Sequence, residues 1–99
     1  MPLAERAAHK AARNPNVLDT YGVALHRVGR LEDARQQLEA SVGIAAQPGN
    51  LLHLGQLYVD LTLYGRARTR LEQAIKAAEA ANDQDTVKTA QRAIDRLPN

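Results

Sequence analysis

The sequence has no cysteine, tryptophan or phenylalanine. Without thiols, neither a disulfide framework nor a thiolate metal site is available. With three tyrosines as the only large aromatics, and alanine and leucine dominant, the core must be thin and its backbones close together. That favours layered helices over a sheet sandwich. No segment alternates apolar and β-branched residues with polar ones as a strand would. No apolar run approaches the ~18 residues that span a bilayer, so no membrane association is expected. The opening "MPLAERAAHK" has no apolar h-region, which tilts the expected location toward the cytoplasm without selecting it. The 13 basic and 11 acidic residues are interspersed and leave a net charge of only +2. No run of five like charges marks a nucleic-acid tail. Ninety-nine residues make one domain at most, large enough to bury roughly two thirds of its unfolded surface.

What is present is a repeat. Shifted by 33 positions, the chain falls on itself: Leu18 on Leu51, Gly22 on Gly55, Ala34 on Ala67, Arg35 on Arg68, Leu38 on Leu71 and Glu39 on Glu72. Similar pairs are Tyr21 with Leu54, Leu25 with Tyr58, Ser41 with Ala74 and Val42 with Ile75. A fixed period of this size is the mark of a stacked array. Within each period the apolar spacing is helical twice over. Leu18, Tyr21, Leu25 and Val28 follow one helical stripe, and Leu31, Ala34, Leu38, Ser41 and Val42 follow a second after a break at Gly29-Arg30. Each period is therefore a helix, a short turn and an antiparallel helix.

The two glycines of the first stripe have different roles. Gly29 closes the first helix in a left-handed conformation. Gly22 lies mid-helix, where glycine costs about 1 kcal/mol relative to alanine. It makes sense if a neighbouring helix passes too close to admit a side chain, with Ala34 and Ala67 as the expected counterparts. In the second period Thr62 stands where Gly29 does, with Gly65 as a candidate compensator.

These residues resemble the tetratricopeptide repeat (TPR), whose W-x₂-L-G-x₂-Y…A-x₃-F…P signature spans about 34 residues. Leu18-x₂-Tyr21-Gly22-x₂-Leu25, Ala34-x₃-Leu38 and Ser41 match it once. Leu51-x₂-Leu54-Gly55-x₂-Tyr58, Ala67-x₃-Leu71 and Ala74 match it again. Leucine largely replaces the aromatic positions, and the closing proline is displaced to Pro48. The expectation is an all-α domain of antiparallel helix-turn-helix repeats stacked as an α-solenoid, with about six helices. Residues 2–13 form the second helix of a preceding half repeat, 15–47 repeat one, 48–81 repeat two and 83–97 a capping helix. In the cap, Val87, Ala90, Ile94 and Leu97 make the apolar stripe, and Lys88, Gln91, Arg92 and Asp95 face away.

The resemblance implies a concave face that holds a peptide or helix of a partner protein. Its residues would be Asn16, Asp19, Thr20, Val23, His26 and Arg27 in repeat one, and Gly49, Leu52, His53, Gln56, Val59 and Asp60 in repeat two. It implies a scaffold or adaptor, part of a larger bacterial-type TPR protein. The lysine and asparagine clamp by which chaperone-binding relatives hold a terminal carboxylate is absent: Asp19, Val23, Leu52 and Gln56 stand there. The alternative is a homo-oligomerising structural module that packs a second copy on an end of the array. The arginines of "YGRARTRLEQ", Arg66, Arg68 and Arg70, would contact an anionic partner or RNA phosphate, or simply be solvated. The aromatic interleaving used for single strands is missing, and solvated arginines are the simpler reading.

No metal, cofactor or catalysis is expected. His26 and His53 sit six positions apart in register, roughly 9 Å of helix rise, and His9 belongs to a different kind of helix. No H-E-x-x-H, nucleophile elbow, P-loop or dinucleotide glycine motif occurs.

Overall fold

The computed structural model describes residues 14–98 and divides the chain into two compact units, one ending at Ala46 and the other beginning at Gln47. The expected helix over 2–13 lies outside the described residues. Five helices and no strand are found among those described.

The first unit is a helical hairpin of α1 (Pro15–Arg27) and α2 (Leu31–Ile44). Asn14 caps α1, its Oδ1 accepting from the backbone N–H groups of Asn16 (3.0 Å) and Val17 (3.3 Å). Pro15 follows in the first turn, where its missing N–H would have had no partner. Glu32 and Asp33 open α2 and complement its dipole, and Arg30 pairs with Asp33. At the far end of α2 the buried Ser41 hydroxyl donates to the Pro15 carbonyl at 2.6 Å, tying the two helices where α1 begins.

The second unit joins α3 (Pro48–Asp60), α4 (Tyr64–Ala80) and α5 (Gln84–Asp95). Here α4 packs on α3, and α5 packs on α4 with a smaller contact to α3. Pro48 opens α3 just as Pro15 opens α1. The backbone N–H of Gln47 donates to Asn50 Oδ1 at 2.8 Å, which gives the buried Asn50 a partner. Position 74, the counterpart of Ser41, is alanine, so the second hairpin lacks the hydroxyl tie of the first.

A single contact repeats in both hairpins. A Cβ placed on Gly22 would lie 2.6 Å from Leu38 Cγ, and one on Gly55 2.7 Å from Leu71 Cγ. Real Cβ atoms do not approach that closely, and both leucines are fully buried. Each glycine is therefore the slot into which a leucine of the facing helix inserts. The counterparts are the leucines, not the alanines expected at 34 and 67. Ala34 and Ala67 are nonetheless completely buried one turn earlier on the same face.

Three turns share one geometry. The N–H groups of Arg30, Leu63 and Asp83 each reach back five residues, to the carbonyls of Leu25 (3.0 Å), Tyr58 (2.9 Å) and Ala78 (2.8 Å). This is the Schellman closure, and it requires a left-handed residue just before the donor. Those residues are Gly29 (φ 82°), Thr62 (φ 59°) and Asn82 (φ 57°). Glycine adopts this conformation freely and asparagine tolerates it, whereas a β-branched threonine is strained. Gly65 does not compensate, because it lies inside the first turn of α4 with nothing near its missing Cβ.

Replacing Gly22 or Gly55 by alanine should therefore destabilise the chain despite the better helix propensity, by about 1–3 kcal/mol of overpacking. Urea denaturation measures it, and an unchanged midpoint would mean that the leucines can move aside. Thr62→Gly should act in the opposite direction, raising stability by about 1 kcal/mol as the left-handed strain is relieved. An equal or lower melting temperature would show that no strain is stored there.

Candidate functional site

The residues expected to face a partner occupy one side of each of two helices. In α1 they recur at helical spacing. Asn16, Thr20 and Arg27 are exposed, and Asp19, Val23 and His26 are half-buried. The Thr20 hydroxyl is turned back onto the Asn16 carbonyl at 3.0 Å. In α3 the corresponding Gly49, His53, Gln56 and Val59 are half-buried and Asp60 is exposed. Leu52 differs, being only 9% exposed. It packs rather than lines an open surface, because α3 is buried over most of its circumference: Asn50, Leu51, Leu52, Leu54, Gly55, Leu57 and Tyr58. The accessible strip of α3 is accordingly narrower than that of α1. The two strips belong to different units, and each stands as described by itself.

Among the expected packing positions, Leu18, Gly22, Leu25, Ala34, Leu38, Leu51, Leu54, Gly55, Tyr58, Ala67, Leu71 and Ala74 are all buried. Tyr21 is not, with 54% of its surface exposed. Its counterpart Leu54 has none exposed. Around Tyr21 the exposed apolar residues Val17, Ala24 and Val28 continue the same side of α1. The sequence carried a signal for this surface in its 4-3-4 spacing, but the period-33 match hid it by equating Tyr21 with a core leucine.

Chemically the strips are mild. The α1 strip offers His26, Arg27, one carboxylate (Asp19), an amide and a hydroxyl, and the α3 strip offers His53, one carboxylate (Asp60) and an amide. No group of three His, Asp or Glu side chains capable of holding a metal occurs among the described residues. Ser41 Oγ is buried and engaged with a backbone carbonyl. Arg66, Arg68 and Arg70 enter α4 with no acidic residue in its first turn. Arg70 hydrogen-bonds Gln73 Oε1 at 3.0 Å. Glu72 forms an ion pair with neither Arg68 nor Lys76. In α2, by contrast, Arg35 does pair with Glu39 at 3.2 Å.

One carboxylate has a shifted titration. Asp83 caps α5, accepting from the Thr86 hydroxyl at 2.6 Å and from the Thr86 backbone N–H at 3.1 Å. These bonds, the hydroxyl first, favour the charged form and hold its pKa below the ordinary 3.8. A lowered folded value means that the capping contribution is complete above pH 3.8 and is lost as pH falls through the lowered value. Amide exchange in α5 should thus accelerate selectively in that acid window. Asp83→Ala should exchange quickly at neutral pH and show no such acid-dependent step. A step of the same size in the variant would assign it to another group.

Comparison with family models, with curated proteins and with solved structures finds no match for this chain.

Proposed function

We propose that this chain is a non-catalytic, TPR-like interaction module. Each hairpin would offer its own strip to a peptide or helix of a partner protein, the first carrying Asn16, Thr20, Val23 and Arg27 in α1 and the second His53, Gln56 and Asp60 in α3. The observation that supports it most is the repeated glycine slot. Leu38 in Gly22 and Leu71 in Gly55 hold the two helices of each hairpin at the same close spacing in both repeats. Such a hairpin presents the outer side of its first helix as a rigid surface whose residues recur at a constant interval. Rigid surfaces limit the ordering cost that binding an extended peptide otherwise incurs. The polar and uncrowded character of both strips suits a peptide whose backbone and side chains are read together. A scaffold or adaptor role within a larger assembly follows from that reading.

The test is capture of partners by the wild-type chain and by a Val23→Arg, Gln56→Arg variant. Both positions are half-buried on the strips and outside the glycine slots, so circular dichroism and melting temperature should change little. The partner should be lost, with retention falling at least tenfold. Equal retention by the variant would remove these strips from the site.

A further inference from the structure

Within the second unit α5 is attached more sparely than the two helices it packs on. Seven residues of α3 and four of α4 are buried, but only Ala90 of α5 is, and a single methyl group removes little apolar surface from water. Val87, Ala93 and Ile94 on the same side are half-buried, whereas Gln84, Asp85, Lys88, Gln91, Arg92 and Asp95 are exposed. Neither glycine slot involves α5, since Leu71 of α4 fills the one at Gly55.

The two ends of α5 are fastened where its middle is not. At the start Asp83 accepts from the Thr86 hydroxyl and backbone N–H, and its own N–H reaches back to the Ala78 carbonyl at 2.8 Å. Just beyond the far end lies Leu97, only 8% exposed. With Pro98 it borders Tyr64, Gly65 and Arg68 around an open concavity of about 250 Å³, so even this fastening is incompletely packed. Between α4 and the cap stand Ala81 and the left-handed Asn82 (φ 57°), both exposed.

We infer that α5 is a strap: it closes over α4 as one cooperative unit and opens as one, about Ala81 and Asn82, while α3 and α4 stay folded. Separate opening follows from where the anchors lie. When α5 leaves, Leu71 keeps its seat against Gly55 and holds the α3–α4 pair together. Cooperative opening follows from length. At 12 residues α5 is about as short as an isolated helix can be in water, so a strap released at either end has no stable halfway state. Opening uncovers the side of α4 on which α5 packs, a surface that the closed chain withholds. The inference requires nothing of the partner strips on α1 and α3, and neither reading depends on the other.

Amide exchange of the full chain at neutral pH, in water and in low urea, tests it. The amides from Lys88 to Asp95 should share one protection, at least about tenfold below the interiors of α3 and α4, with a shallower dependence on urea. Leu97→Ala, at one end only, should speed exchange at Lys88 and at Asp95 by the same factor, at least about fivefold, and leave α3 and α4 within about twofold. Equal protection and equal urea dependence in α4 and α5 would overturn the inference, because the unit then opens only as a whole. So would protection that declines steadily toward Asp95, which is fraying. A Leu97→Ala effect confined to the last turn, or shared equally by α3 and α4, would overturn it as well.

Discussion

A helix cannot approach another closely while carrying a side chain between them, and in this protein that constraint is met by two glycines. Gly22 and Gly55 each accept a buried leucine from the facing helix at a distance no Cβ would allow. Much else follows from how near the backbones then lie. The core needs no phenylalanine or tryptophan, and it uses alanine at 34, 67, 74, 78 and 90 with no surface left exposed. Larger residues at these places would force the helices apart and withdraw Leu38 and Leu71 from their slots. The cost of glycine within a helix is offset by burial of two whole leucine side chains, roughly 1.5–3 kcal/mol each.

The two hairpins share this slot but differ at their edges. Ser41 ties α2 to the Pro15 carbonyl, where Ala74 makes only apolar contact. Gly29 makes the first turn without strain, while Thr62 makes the second with a backbone conformation that β-branched residues resist. Asn82 makes the third, and Asp83 beside it begins α5 with a side-chain cap that neither Arg30 nor Leu63 provides. The closing helix thus relies on a local carboxylate as well as on packing. The backbone plan is conservative across the three turns, and variation is confined to side chains that do not enter the slots. The outward residues differ at every equivalent position between α1 and α3.

Much of the fold was legible in the sequence because helical hairpins are short-range objects. A repeat of 33 residues, two apolar stripes per period and a glycine in mid-stripe demand a tight helix pair wherever they occur. The start of the last helix was equally plain, since Asp83 is a side-chain cap followed by an apolar stripe. The candidate strips were less legible. Leu52 and Val23 both look like apolar residues on a polar helix side, yet one is buried and the other half open. Tyr21 and Leu54 occupy identical places in the repeat and have opposite exposures.

The amino-acid order alone determined the helices, their pairing into hairpins and the positions where backbones must touch, because each depends on residues within one or two turns of one another. Only the tertiary structure decided which leucines enter the glycine slots, that Gly65 gives Thr62 no relief, and which apolar side of a helix is left open. Those outcomes depend on what lies across from a residue. A periodic pattern states that a face is apolar but not whether anything covers it.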